Sequence, residues 1–348
     1  MKARIRFRGV HGIVLVVVLT LLGGGYAWYE HFAPAARLGR ACGGLLPVDD
    51  MLAATGVTSR FGGRDLELSS HPFDGSASVR EPEGLPVTCR ANGIVVAVET
   101  SADNDKPFLS DNASAEDENG SALPVPLGQG WSGYLTEEDG RVTVSVLLDC
   151  ENWGPERGSG VLVSLDASVD GIDGAERARF ARIATRTAAK AAGKAECDAA
   201  PGSRIERAEG TSVVSRVRVS QARGTCAGTG SQATVTETPA RTSPVEACLL
   251  GNALRLTAAY GPFGNVDHVN GRGPYAGFDE PAGGEGLVVW ATATCAGAQG
   301  TALYTATPAR GSNRSFVSRP LTGREHADLK RFATRSAARQ HCGTPVLP

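Results

Sequence analysis

The chain has 348 residues, a formal net charge of −2, and a composition that is 41% hydrophobic and 21% charged. That is the profile of a globular protein with room for one large domain or two ordinary ones. Residues 1–30 carry +3, from Lys2, Arg4, Arg6 and Arg8 against Glu30, which leaves −5 on the rest. The rest is no polycation, so the electrostatic footprint of a nucleic-acid binder is missing.

In chain order, four basic residues precede GVHGIVLVVVLTLLGGGYAWY at residues 9–29, a run without Asp, Glu, Lys or Arg. About 20 apolar residues span a hydrocarbon core, and a basic flank stays on the cytoplasmic side. The sequence thus predicts a cytoplasmic tail at 1–8, a transmembrane helix at 9–29 and a linker at 30–39. Everything beyond is expected on the extracytoplasmic side of the cell membrane. Tyr26, Trp28 and Tyr29 would lie at the outer interface, where amphipathic rings are favoured. The rival reading is a cleaved signal peptide with Ile13–Leu22 as its apolar region. Its small residues Ala33 and Ala35 lie far from that region and flank Pro34.

Outside the membrane, the eight cysteines read as disulfides: Cys42, Cys89, Cys150, Cys197, Cys226, Cys248, Cys295 and Cys342. An even number in an oxidising compartment predicts four bridges. There is no CxxC pair of the kind zinc sites recruit, so no metal and no cofactor is expected.

PVDDMLAATG (47–56) predicts a short helix with Pro at its start and Gly after its end. Strands are expected at Ile94–Thr100, Val142–Leu148 and Val161–Leu165. Five more are expected at Val213–Val219, Ala233–Thr238, Ala253–Ala259, Leu287–Ala293 and Ala302–Thr307. SVVSRVRVS alternates Val with Arg, the pattern of a half-exposed strand. Between the early strands, residues 99–124 are acidic, polar and almost free of apolar residues, which predicts a solvated loop.

One phrase occurs twice. RIATRTAA at 182–189 returns as RFATRSAA at 331–338, and Asp173–Lys190 matches Thr322–Arg339 at 9 of 18 positions without a gap. Each segment opens with a capping residue followed three positions later by Glu, Asp173/Glu176 and Thr322/Glu325. Phe180, Ile183 and Thr187, like Leu329, Phe332 and Ser336, recur at helical spacing and define a buried stripe. Upstream, GQGWSGY (128–134) resembles GRGPYAGF (271–278), and RVTVSVLLDC (141–150) parallels GLVVWATATC (286–295). Cys150 and Cys197 are 47 residues apart, as are Cys295 and Cys342. These matches predict the bridges Cys150–Cys197 and Cys295–Cys342. TCRANGIVVAVET (88–100) also resembles TCAGTGSQATVTET (225–238), which sets Cys89 beside Cys226. The pairing of the remaining four stays open, with Cys42–Cys89 and Cys226–Cys248 the simplest solution.

The fold expected is α+β: a transmembrane helix, then tandem homologous domains at 40–198 and 199–348. Each would be an antiparallel sheet with a C-terminal amphipathic helix against one face, disulfide-stabilised.

Catalytic signatures are missing. GxSxG, HExxH and a P-loop do not occur. His326 is expected on an exposed helix face, His71 and His268 in loops, and Glu137 with Glu138 in the turn TEEDG. Two features remain as ligand-binding candidates. One is the pair of basic stripes, Arg182, Arg186 and Lys190 on the first helix and Arg331, Arg335 and Arg339 on the second, suited to anionic polymers or headgroups. The other is the aromatic–glycine motif with Trp131 and Tyr275, since exposed aromatics bind sugars and peptides well.

The run ACGGLLPVDD, a short way outside a single anchor, resembles uncharacterised actinobacterial membrane-anchored extracytoplasmic proteins. The resemblance implies an envelope compartment and a GC-rich origin, and no activity. The expectation is a non-catalytic binding or envelope-associated module, whose partner is an anionic envelope polymer or a membrane protein. The alternatives are an envelope enzyme of unfamiliar type with its site between the domains, and a purely structural tether.

Overall fold

A computed structural model of the chain describes residues 34–56, 67–72, 85, 87–100, 122–138, 140–153, 160–169, 171–264, 280–309, 315–316 and 319–348. The transmembrane helix expected at 9–29, Tyr275, His268 and nearly all of the acidic segment lie outside these residues. Among the described residues no helix is long and apolar enough to cross a membrane.

The architecture is mixed α+β, built on two antiparallel seven-stranded sheets. The first contains β1 (Leu68–Pro72), β2 (Val87–Ala91), β3 (Ile94–Thr100), β4 (Val125–Gly128), β5 (Trp131–Glu138), β6 (Arg141–Asp149) and β7 (Gly160–Ser168). The second contains β8 (Ser215–Arg218), β9 (Thr234–Glu237), β10 (Val245–Leu250), β11 (Leu254–Tyr260), β12 (Ala282–Glu285), β13 (Val288–Thr294) and β14 (Thr301–Pro308). Helix α1 (34–40) and helix α2 (Val48–Ala54) precede the first sheet. Helix α3 (Gly174–Lys194) follows it, and α4 (Gly323–Arg339) follows the second.

The strand orders are β1-β2-β3-β7-β6-β5-β4 and β8-β9-β10-β11-β14-β13-β12. Six positions correspond. In both sheets three strands run as hairpins, the chain crosses to the far side, and a meander returns to lie beside the third strand. The extra edge strand is β4 in the first sheet and β8, with its alternating exposure, in the second. Within this common pattern Cys89 corresponds to Cys248. Cys89 lies opposite Val96 of β3, and Cys248 lies opposite Leu256 of β11. Aligning Cys89 with Cys226 is therefore wrong. Cys226 lies off the sheet, before β9, and its counterpart is Cys42.

All eight cysteines are paired: Cys42–Cys89, Cys150–Cys197, Cys226–Cys248 and Cys295–Cys342. Cys42–Cys89 and Cys226–Cys248 each join an off-sheet segment to the corresponding strand, β2 in the first sheet and β10 in the second. Cys150–Cys197 and Cys295–Cys342 each join the chain just past the penultimate strand to the end of the long helix.

The helices form as their sequences dictate. Asp173 and Thr322 accept from the backbone N–H of Glu176 and Glu325, whose carboxylates return to the capping residues' own N–H, so both capping boxes close. At the other end Cys197 N–H donates to Ala192 O, and Cys342 N–H donates to Ala337 O. The preceding residues, Glu196 (φ 54°) and His341 (φ 56°), are left-handed, the geometry of a Schellman close. Phe180, Ile183, Thr187, Leu329, Phe332 and Ser336 are all buried against their own sheet. Fully burying an aromatic or aliphatic side chain of this size contributes about 1.5–3 kcal/mol.

The opposite faces of the sheets meet each other. Tyr134, Leu147 and Leu162 of the first form one buried cluster with Val245, Ala259, Phe263 and Ala298 of the second. The Tyr134 and Phe263 rings meet edge-on at 5.6 Å. A Cβ on Gly160 would stand 2.6 Å from that of Ala298, so only glycine allows this approach. Asp149 accepts a hydrogen bond from Ala298 N–H at 2.9 Å. The layers run helix, sheet, sheet, helix. Glu137 and Glu138 end β5 rather than lying in a turn, and Glu137 pairs with Arg177 of α3. His71 belongs to β1.

Candidate functional site

The first basic stripe is engaged by the chain itself. Arg182 Nε lies 3.0 Å from Asp50 Oδ1, and Arg186 Nη1 lies 2.7 Å from Asp50 Oδ2, so one carboxylate of α2 is shared by two arginines a helical turn apart. Lys190 donates to the carbonyl of Leu46 at 2.7 Å. Its pKa is lowered by partial burial first and by the Arg186 charge second. Leu38, Leu45, Leu46 and Met51 are buried beside the same helix. The N-terminal segment is thus pinned by apolar burial, by the stripe and by the Cys42–Cys89 bridge.

Asp50→Ala should remove about 1–2 kcal/mol of stability. Arg182 is only 18% exposed and depends on this partner, whereas half-exposed Arg186 contributes little. The expected result is a lower urea midpoint together with faster tryptic cleavage at Arg37 or Arg40. Unchanged cleavage would show that burial, Lys190 and the Cys42–Cys89 bridge hold the segment without this carboxylate.

Trp131 is buried as well. Its Nε1 donates to Ser203 O at 2.7 Å, and Ser203 N–H donates to Gln129 O at 2.8 Å. A Cβ on Gly202 would meet the indole at 2.5 Å, so the connector between the sheets passes over the ring at a glycine. Arg182 Nη1 also reaches Ile205 O at 3.3 Å. Trp131 and the first stripe therefore hold the connector and the N-terminal segment. Tyr275, its sequence counterpart, lies outside the described residues.

The second stripe divides in two. Arg339 turns inward to Glu246 of β10, which is 2% exposed, with Nε 3.2 Å from Oε1 and a second, shorter contact beside it. Close by, the hydroxyls of Tyr260 and Ser336 lie 2.5 Å apart, and Tyr304 OH is 3.5 Å from Tyr260 OH. Burial first, and then the Glu246 charge, raise the Tyr260 pKa. The Tyr304 phenol is pushed up to about 12, chiefly by burial.

Arg331 and Arg335 face solvent. Arg331 is 53% exposed and touches Asp328 at 3.4 Å. Asp328 is itself 0% exposed and accepts from Gly230 N–H and Ser231 N–H, each at 2.7 Å. Arg324, His326 and Lys330 are exposed on the same helix. The six stripe residues, one set by helical spacing, separate in the fold. The structure brings three of them onto the N-terminal segment and one into the second core, and leaves Arg331 and Arg335 at the surface.

Among the described residues no group of three His, Cys, Asp or Glu side chains could hold a metal ion. No family model matches the chain, and neither a curated protein nor a solved structure matches it.

Proposed function

We propose that the protein is an extracytoplasmic binding module of the cell envelope, carried on a single N-terminal anchor at residues 9–29. Its tail at 1–8 is cytoplasmic, and its two duplicated domains at 40–198 and 199–348 lie outside. The compartment is supported by the four disulfides, which pair every cysteine, a state that persists in oxidising surroundings and is rare in the cytosol. The anchor is supported by the basic flank and apolar length of the N-terminus. Duplication is supported by the six shared strand positions and the repeated helix.

The observation that carries the binding role is the cationic face of α4, where Arg331 and Arg335 stand at the positions by which Arg182 and Arg186 grip Asp50. Envelope material rich in carboxylate or phosphate is the class of ligand that fits it. The test treats intact cells with external protease. The expected result is loss of the ectodomain with an N-terminal stub retained, and sedimentation of detergent-solubilised full-length protein with isolated wall material or anionic liposomes at low but not high salt. Full protection in intact cells would refute the topology, and no sedimentation with either material would refute a polyanion ligand.

A further inference from the structure

We propose that the Arg331–Arg335 face of α4 takes an acidic helical segment of a partner protein, as the Arg182–Arg186 pair takes Asp50 of α2. The proposal rests on the binding-module reading and names the ligand chemistry of that site. The molecule contains its own template. In the first sheet's helix, two arginines at i and i+4 share one carboxylate presented by a seven-residue helix, VDDMLAA. Arg331 and Arg335 occupy the same places in the repeated phrase, and α4 presents them at the same helical spacing.

Among the described residues the second sheet has no counterpart of α2 between Cys226 and β9. After Cys42 the chain runs GGLLPVDDMLAA, but after Cys226 it runs only AGTGSQA before β9 begins. That short stretch passes beside the arginines without covering them: a Cβ at Gly230 would be 4.0 Å from Arg331 Nη1, and one at Gly228 would be 4.0 Å from Arg335 Cδ.

From its own helix the face meets only one acid, Asp328, which lies 3.4 Å from Arg331 and leaves that arginine half-exposed. The acids of α4 are Glu325 and Asp328, both buried, with carboxylates that accept from the backbone N–H of Thr322 and of Gly230 and Ser231 respectively. Its outward cations are Arg324, Lys330, Arg331 and Arg335. Along the flank of the same helix lies an open recess of about 280 Å³, lined by His326, Ala327, Leu329, Lys330, Leu347 and Pro348. A second copy's α2 does not fit this role, because its Asp50 is already held in its own domain. Exposed ion pairs are individually weak, so the complex should be modest in affinity, fast to form and salt-sensitive.

The experiment uses the full-length chain in phosphatidylcholine nanodiscs and a fluorescein-labelled, alanine-based helical peptide carrying an Asp-Asp-Met-Leu block, read by anisotropy. The control peptide replaces both Asp with Asn. Saturable binding is expected to the acidic peptide only, weakened at least tenfold by R331E/R335E and by high salt. R216E/R218E changes the net charge equally at two exposed arginines of β8 and is expected to leave binding unchanged. Equal loss in both variants would reduce the effect to general electrostatics and overturn the proposal. No peptide binding, with capture by vesicles containing 30% phosphatidylglycerol, would overturn it while leaving the binding-module reading intact. Binding to neither would remove both.

Discussion

Glu246→Ala should destabilise the second domain by about 3 kcal/mol, because it leaves the Arg339 guanidinium beneath α4 without its counter-charge. The figure sits at the low end for a broken buried pair because Arg339 keeps 18% of its exposure and can recover some hydration. The pair is not itself required for the fold. Two residues before its sheet cysteine the first domain has Val87 where the second has Glu246, and Lys190 stands where the second has Arg339. A double variant, Glu246→Val with Arg339→Met, should therefore recover most of the loss, to within about 1 kcal/mol, since apolar replacement of a buried pair is often neutral. Removing the carboxylate also lowers the Tyr260 and Tyr304 pKa values, because its charge helps to raise them. The sign for stability follows. Phenols whose pKa is raised on folding contribute fully below pH about 10 and lose that contribution as pH rises toward 12. Urea unfolding of the three proteins and ultraviolet titration of tyrosinate absorbance give the measurement. If the double variant fell as far as the single one, the pair would have a role in packing beyond its own charge balance.

The long helices and the bridges at their ends are legible in the chain because the signals are local and repeated. A capping box, a 3.6-residue apolar period and an identical Cys spacing each need no knowledge of the rest of the fold. The strand order is not legible in the same way. The likeness of TCRANGIVVAVET to TCAGTGSQATVTET reflects a generic β-rich run after a cysteine. Only the hydrogen-bond register shows that Cys89 matches Cys248, one strand later. The candidate site depends on still longer range. A basic helical stripe looks the same whether it faces water or grips its own chain, and Arg182 meets Asp50 across 132 residues of sequence. Asp49 and Asp50 at the start of a short helix were the signal that could have suggested an internal partner. Trp131 was ambiguous for a similar reason. An aromatic beside two glycines can be an open platform or a ring under a passing backbone, and Gly202, 71 residues away, decides for the second.

Removing the Cys150–Cys197 bridge should cost more than removing Cys295–Cys342, although each closes a loop of the same 47-residue separation. Loop-closure entropy assigns both about 4 kcal/mol at 25 °C. The difference comes from the native state. Cys150 and Cys197 are buried among the first core's side chains, while Cys295 and Cys342 are half-buried at the margin of the second. Paired Ala substitutions therefore open a gap in the first core that its neighbours only partly refill, adding about 1 kcal/mol beyond the entropy. Hydrogen bonds cross both junctions, so they do not separate the two: Glu151 N–H donates to Asp198 O and Asn152 Nδ2 to Glu196 O in the first, while in the second Gln299 bonds Gln340 at 2.9 Å and Gly343 N–H donates to Thr294 O. The ends of both loops stay tethered after the sulfurs are gone, in the folded state only, so these bonds do not replace the constraint on the unfolded chain. Denaturant unfolding of C150A/C197A and C295A/C342A, followed by Trp fluorescence and by helical circular dichroism, measures both losses. The reverse order would mean that strain in the first bridge outweighs its packing. Losses below about 1 kcal/mol for both would mean that the reduced chain retains enough structure to make the loop argument inapplicable.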